Sequence, residues 1–349
     1  MEKQMHHSDF QLNGQSFSSV DELLNYSQQL NPSIFNFLTD WFSSDDYIVV
    51  QTSGSTGKPK PIQLKKEYMK NSAKATGEFF NLKKGTTALL CLSTDYIAGK
   101  MMLVRALTLG WELDVVEVDS NPLSQIDKVY DFSAMVPMQL QNSLADLHKV
   151  RKLIVGGGVV SNELINKIQD VKTEVFATYG MTETITHIAV KKLNNFTITP
   201  VFYEVLPNVT IYKDQRNCLL IEAPKVSDEL IVTNDVVELI SDTQFEWLGR
   251  FDNVINSGGV KLYPEKIEEK LSKIISERFF VAGIPDGVLG EKLILVVEGI
   301  TSGEVEKSLS VLEGLSKYEK PKAIYFVESF IETETKKIQR KKTLDLISF

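Results

Sequence analysis

The chain has 349 residues, 43% apolar and 24% charged, with a formal net charge of -8. That length suffices for two domains, and the composition is that of a globular protein. The acidic balance speaks against a nucleic-acid partner, which needs a basic face, but leaves room for a local basic pocket. Cys91 and Cys218 stand far apart in no metal-ligand spacing, as expected of a reducing cytoplasm. The polar start lacks the apolar stretch of a signal peptide, and adjacent His6 and His7 read as solvated residues of a loose terminus. No apolar run approaches the ~18 residues that span a bilayer, so no membrane insertion is expected.

In chain order, β-branched runs alternate with helical patterns. Strands are expected at Tyr47 to Val50, Ala88 to Leu92, Leu113 to Val118, Lys152 to Val155 and Val175 to Ala177. Helices are expected between them, at Tyr68 to Phe80 and Lys100 to Leu109. Such alternation predicts an α/β architecture with buried, largely parallel strands. From about Asn195 to Leu248 the pattern turns to short strands and turns. A second unit begins near Arg250. Pro264 suits the first turn of a helix whose apolar face is Ile267, Leu271, Ile274 and Ile275. Strands at Phe279 to Gly283 and Leu293 to Glu298, a helix at about Glu304 to Lys317 and a strand at Ala323 to Val327 complete a small α+β unit.

Five segments carry chemistry. Thr52-Ser53-Gly54-Ser55-Thr56-Gly57-Lys58-Pro59-Lys60 follows an apolar strand. Its glycines let backbone N–H groups face an anion, while hydroxyls and lysines add donors and charge, which suits a triphosphate. It is not a P-loop, because its glycines are too close and Pro59 stands where Ser or Thr should hold magnesium. As a bare pattern it is also a flexible turn. Tyr179-Gly180-Met181-Thr182-Glu183 follows a strand, where α/β proteins bind ligands. Thr182 can bond a phosphate oxygen and Glu183 can hold Mg²⁺, a hard cation that prefers oxygen; a capped loop is the bland alternative. Asp235 ends an apolar strand and can accept from ribose hydroxyls, or can be a turn residue. Trp247 to Asp252, with Arg250 placed for ribose or phosphate, leads into Ser257-Gly258-Gly259, whose glycines permit close approach to a ligand. Lys336 to Lys342 is a basic run that by itself reads as a solvated tail.

Taken in this order, the five segments resemble the adenylate-forming superfamily of acyl-CoA ligases, peptide-synthetase adenylation domains and luciferases, from about residue 47 to the C-terminus. The resemblance implies an α/β fold. Residues 1–251 would form a large adenylation domain with mixed and parallel sheets, and residues 252–349 a small, mobile α+β lid domain. It implies ATP, Mg²⁺ and coenzyme A as co-substrates and cofactor, and a small-molecule carboxylic acid as partner. Thr52, Ser53, Gly54, Ser55, Thr56, Gly57 and Lys58 would hold the phosphates, with Gly157, Tyr179, Gly180, Asp235 and Arg250 also at the nucleotide. Thr182, Glu183 (through the metal) and Lys337 would be catalytic, Asp252 the hinge, and Ser257, Gly258 and Gly259 the lining of the CoA tunnel.

Some positions depart from the family's pattern. Lys60-Pro61 replaces a usual glycine, Thr233-Asn234-Asp235 replaces Thr-Gly-Asp, Lys336-Lys337 replaces Gly-Lys, and a frequent histidine is replaced within Asp95 to Gly99. About fifty residues precede the phosphate loop, where relatives carry many more, so an N-terminal subdomain is expected to be reduced. Leu92 to Leu107, with Gly156-Gly157-Gly158 and that short start, is similar to compact bacterial o-succinylbenzoate–CoA ligases of menaquinone synthesis. Their substrate is a dicarboxylate, and its second carboxylate needs a cation. Arg105 or Lys100 can supply one, with Tyr96 and His187 as further candidates for the acid pocket; Arg105 can equally be a surface residue of an amphipathic helix. Another acid, a carrier-protein thiol as acceptor, or a non-catalytic nucleotide-binding relative are the competing readings. The oligomeric state is open, a homodimer among the options.

Overall fold

A computed structural model describes residues 6–51, 61–299, 305, 309, 314–333 and 338–347. Near its start, strands β1 (Gln11–Leu12) and β2 (Gln15–Ser16) turn at Asn13 and Gly14, both at positive φ. This stretch is not a loose terminus. The backbone N–H of His7 donates to Leu107 O at 2.8 Å, and Phe10 and Leu12 are buried. Helix α1 (Val20–Leu30) is capped by Ser19, whose side chain accepts from Glu22 N. Helix α2 (Pro32–Phe42) starts on an Asn31 cap with proline in its first turn and buries Ile34, Phe37, Leu38 and Trp41.

Strands β3 (Tyr47–Gln51) and β4 (Pro61–Lys65) form a separate antiparallel hairpin. The expectation that the first of them joins the parallel sheet is thereby corrected. Its burial alternates, with Ile48 and Val50 inside and Tyr47, Val49 and Gln51 outside, which is the signature of a half-exposed strand. After helix α3 (Lys66–Phe79) come β5 (Thr87–Leu90), α4 (Ile97–Leu109), β6 (Glu112–Val115), β7 (Tyr130–Met135), α5 (Pro137–Asn142), β8 (Val150–Val155), α6 (Asn162–Lys167) and β9 (Glu174–Gly180). The strands lie in the order β9-β8-β7-β5-β6-β1, all parallel.

β7 sits in the middle of this sheet, yet its polar Asp131 and Ser133 hide it from an apolar-run reading. Both are satisfied across the ladder: Asp131 accepts from Thr87 N and Thr87 Oγ1, and Ser133 Oγ donates to Leu89 O. β6 ends at Val115, three residues before its expected end.

Beyond β9 the sheet turns antiparallel through β10 (His187–Lys192), β11 (Tyr203–Val205), β12 (Thr210–Lys213), β13 (Cys218–Glu222), β14 (Ile231–Leu239) and β15 (Gln244–Arg250). With β2 pairing to β1, the whole is one thirteen-stranded mixed sheet. A second sheet follows from β16 (Ile255–Ser257), β17 (Val260–Leu262), β18 (Phe279–Asp286), β19 (Gly290–Glu298) and β20 (Ala323–Val327), with helix α7 (Pro264–Leu271) packed on it and helix α8 (Arg340–Leu344) near the end. Ile267, Leu271 and Ile275 are buried as expected. Most of the helix expected at 304–317 lies outside the described residues; Val305 and Leu309 are helical, and 315–317 are not.

Candidate active site

The carboxyl ends of β8, β9 and β15 and the middle of β14 bring the candidate residues together; Asp235, expected to end its strand, lies inside β14 opposite Arg250. Gly156, Gly157 and Gly158 leave β8 in a tight turn, with Gly157 at φ +80°. β9 runs further than expected and takes in Tyr179 and Gly180. A Cβ at Gly180 would lie 2.1 Å from Thr186 O, so only glycine lets the outgoing chain fold back against the strand. Gly180→Ala is expected to destabilise the protein by roughly 1–3 kcal/mol, since the clash is with backbone. An unchanged denaturant midpoint would contradict so close an approach.

The chain then forms a short 3₁₀ turn, Thr182 to Thr184, that buries Thr184 and leaves Glu183 exposed. Ile185 follows at φ 66° and ψ -62°, and Thr186 N donates to Thr184 O at 2.8 Å. That is a γ-turn with a β-branched, buried residue at its centre, a strained conformation of the kind held in place at ligand sites. The strain serves to aim Thr186 and His187 inward directly after the exposed Glu183.

Asp235 is the centre of the first cluster of candidate residues. It pairs with Arg250 in the β14–β15 register and is 7% exposed. Its carboxylate accepts from Tyr179 Oη at 2.8 Å and Trp247 Nε1 at 3.1 Å, with Arg250 Nη1 at 3.8 Å. A carboxylate offers about four lone-pair sites, so this one can still accept from a vicinal diol. The Tyr179 ring sits edge-on to Phe245 and Tyr203, which form a wall of aromatic faces. Burial, then the charge of Asp235, push the Tyr179 hydroxyl well above the ordinary tyrosine range, so it stays a donor. Asn234, one of the departures in sequence, is not idle: its Oδ1 accepts from Arg216 Nη1 at 2.9 Å.

The second half of the site lies under α4. This helix is buried nearly all round, and Arg105 is 2% exposed within it, which corrects the surface-helix alternative. Arg105 Nε donates to Thr76 Oγ1 at 3.4 Å, Nη2 to Thr186 Oγ1 at 3.5 Å, and Nη1 to Met102 Sδ at 3.7 Å. Among the described residues it has no carboxylate partner. Burial alone moves its pKa down, to about 10, so it remains protonated at neutral pH. His187 joins the cluster through Thr76 Oγ1 at 3.4 Å; burial first, then Arg105, hold its pKa well below the usual value, so its ring is neutral. With Ser72 and Thr184 it also lines a cleft of about 220 Å³.

Other candidates fall elsewhere. Lys100 donates to Thr94 O and Asp95 O and lies over the Phe37 ring, so it serves backbone carbonyls, and Arg105 is the free cation of the pair. Tyr96 is exposed at the opposite end of α4, nine residues before Arg105 and roughly 13 Å along the helix axis. Asp252 is exposed beside Arg250; Ser257 ends β16, buried, and Gly258 and Gly259 form the turn into β17. Thr52, Ser53, Gly54, Ser55, Thr56, Gly57, Lys58 and Lys337 lie outside the described residues. Their flanks are placed: Gln51 pairs with Pro61, and Glu332 bridges to Ile338. Thr76, Thr186, Arg216 and Trp247 were not singled out from sequence. Trp247 stood within a quoted segment, whereas nothing local marked Thr76, which meets Arg105 only through packing of α3 on α4.

Among the described residues there is no cluster of three or more metal-ligating side chains. A single exposed carboxylate, Glu183, fits a magnesium ion that keeps its waters and is otherwise held by substrate phosphates. Nor is any described helix long and apolar enough to cross a membrane.

A mixed sheet with glycines at its carboxyl edge and a buried carboxylate, Asp235, with accepting capacity to spare fits the class of nucleotide-binding α/β enzymes. Residues 4–212 match the family model described as AMP-binding enzyme, and the chain belongs to that family. It is 39% identical, over 91% of its length and 95% of the other's, to an acyl-CoA synthetase (AMP-forming)/AMP-acid ligase II-like protein from Dyadobacter fermentans, with a TM-score of 0.62. It is 27% identical to the 2-succinylbenzoate–CoA ligase of Lactococcus lactis, over 89% of this chain and 73% of that one. The o-succinylbenzoate coenzyme A synthetase of Bacillus subtilis, solved with ATP and magnesium ion, shares the fold at a TM-score of 0.72 and 18% identity, covering 94% of this chain and 82% of that one.

Proposed function

We propose that the protein activates a small dicarboxylic acid as its acyl-adenylate at the expense of ATP and transfers the acyl group to coenzyme A, the acid being 2-succinylbenzoate on the route to menaquinone. Arg105 carries the choice of acid. A buried guanidinium whose described partners are all neutral is costly unless an anion joins it, and a second carboxylate is an anion of the right shape. The name of the Lactococcus relative points to the same substrate. The same reading places the enzyme in the cytoplasm, where ATP and reduced CoA are available.

In the first step a carboxylate oxygen attacks the α-phosphorus of ATP and pyrophosphate leaves, a reaction that needs alignment and charge neutralisation more than proton transfer. Asp235 accepts from the ribose hydroxyls, held by Tyr179 and Trp247, with Arg250 beside it. Thr182 and the segment Thr52 to Lys58 hold phosphate oxygens, and Lys337 neutralises charge between the carboxylate and the α-phosphate. Glu183 would hold Mg²⁺, which when bound would further neutralise the phosphate charge. In the second step the CoA thiol attacks the acyl carbonyl and AMP departs. We place residues 1–251 in the adenylating domain and 252–349 in a lid that turns at Asp252, bringing Ser257, Gly258 and Gly259 to the thiol.

Acid-dependent exchange of pyrophosphate into ATP tests the reading. Exchange with 2-succinylbenzoate but not with monocarboxylic aryl or fatty acids is expected. Exchange with another acid would keep the chemistry and remove the pathway; none with any acid, in folded protein that binds ATP, would leave a non-catalytic nucleotide binder. Lys337→Ala is expected to abolish exchange by roughly 10²-fold or more while sparing thioester formation from supplied acyl-adenylate. Equal loss of both would remove the proposed division of labour.

A further inference from the structure

The joint between the two sheets is gripped from both sides, and the grips meet at one peptide. On the large-sheet side, Arg216 is anchored by Asp214, with Nε to Oδ2 at 2.7 Å, and its fork reaches two further acceptors, Asn234 Oδ1 at 2.9 Å and Thr233 O at 3.1 Å. The same guanidinium lies over the Phe251 ring, with Cζ 5.2 Å from its centroid. Asn234 Nδ2 then points at Asp252 Oδ2 at 3.5 Å, and Arg250 Nη2 reaches that oxygen at 3.3 Å. On the small-sheet side, Asn253 Nδ2 donates to Glu265 Oε1 at 2.5 Å, and Glu265 belongs to α7. Arg340 Nη2, at the start of α8, stands 3.7 Å from the same Glu265 oxygen. Phe251 and Asp252 are therefore held by the large sheet, and Asn253 by the small one.

We propose that Arg216 and Asn234 are positioning residues that clamp Phe251 and Asp252 onto the large sheet, and that this clamp is released when the lid turns. This rests on the adenylation and thioester reading given above. Phe251 and Asp252 are both exposed, so the ring contact and the two carboxylate bonds can be exchanged for water without opening a core. Asp214 keeps Arg216 preset whichever way the lid turns, because both residues lie within the β12–β13 turn. Asn234 borders Asp235, the proposed ribose acceptor, so clamp and nucleotide share one strand, β14.

The test compares Arg216→Ala and Asn234→Gly with the intact protein. Hydrogen exchange over residues 251–256 of the free full-length chain is expected to quicken by about tenfold in either variant, as a cation–ring contact or a hydrogen bond to a charged group is lost. The ratio of the two half-reaction rates, pyrophosphate exchange against thioester formation from supplied acyl-adenylate, is expected to shift at least threefold or so in both variants. A defect in ribose binding would lower both half-reactions together and leave that ratio where it was. Arg216→Lys, which keeps the charge but not the fork, should fall between. Unchanged exchange at 251–256 with an unchanged ratio, in variants that melt normally, would overturn the clamp. If no acid supports pyrophosphate exchange even in the intact protein, the functional reading fails, and the hydrogen-exchange arm still decides whether the clamp exists.

Discussion

Replacing Arg105 with methionine is expected to raise the melting temperature of the free protein and, at the same time, to weaken its use of a dicarboxylic acid. The two effects have one cause. Burial lowers the Arg105 pKa and no described carboxylate raises it back, so the protonated side chain is held at a desolvation cost that only a bound anion offsets. An apolar side chain of similar length removes that cost; exchanges of buried ionic groups for well-packed apolar ones gain about 1–4 kcal/mol, or a few degrees in a chain of this size. Removing one partner of a buried charge pair costs about 2–5 kcal/mol in binding, so KM for the acid should rise on the order of 10²-fold. Differential scanning with and without acid checks both halves. A lower melting temperature for Arg105→Met would mean that the guanidinium is already compensated in the free protein. An unchanged KM would mean that the acid binds elsewhere.

Asp235→Ala is expected to be the most damaging change on the nucleotide side. Tyr179 Oη and Trp247 Nε1 both lose their acceptor in a largely buried place. Leaving such donors unsatisfied costs about 1–3 kcal/mol each, and the lost charge-assisted bonds to a ribose diol should raise KM for ATP on the order of 10²-fold. The contact itself is read by comparing ATP with 2′-deoxy-ATP. The intact enzyme should prefer ATP, and Asp235→Ala should treat the two nearly alike. Retained discrimination in the variant would show that the ribose is gripped by another residue. Asp235→Asn should be milder in stability, because it keeps an oxygen for one of the two donors.

Much of the nucleotide half was legible before any coordinates, because its residues sit in short contiguous stretches whose chemistry is local. A glycine after an apolar run, an acidic residue beside another such run and an arginine two residues before an acid can each be read within a few positions, although Asp235 lies inside β14 and not at the end of a strand. What tied Tyr179, Asp235 and Trp247 into one cage was the antiparallel pairing of β14 with β15 and the passage of β9 nearby, which no local pattern states. The α/β class was likewise readable from alternating periods, whereas β7 was missed because Asp131 and Ser133 interrupt its apolar run and are satisfied only by β5 beside it. The hairpin of β3 and β4 went astray for the opposite reason, since an apolar run looks alike in a parallel core and at a surface.

The sequence by itself determined the family, the chemistry its motifs can carry and the residue types offered to nucleotide and acid, because those properties reside in side chains and short spacings. Only the tertiary structure decided that Arg105 is a buried cation with no carboxylate beside it among the described residues, that Lys100 serves backbone carbonyls, and that Arg216 and Asn234 reach Phe251 and Asp252. Those are properties of partners brought together from 29 to 81 positions apart around Arg105 and from 18 to 35 around Phe251 and Asp252. Burial and pairing at such separations are set by how helices and strands pack, a collective outcome that no single segment encodes.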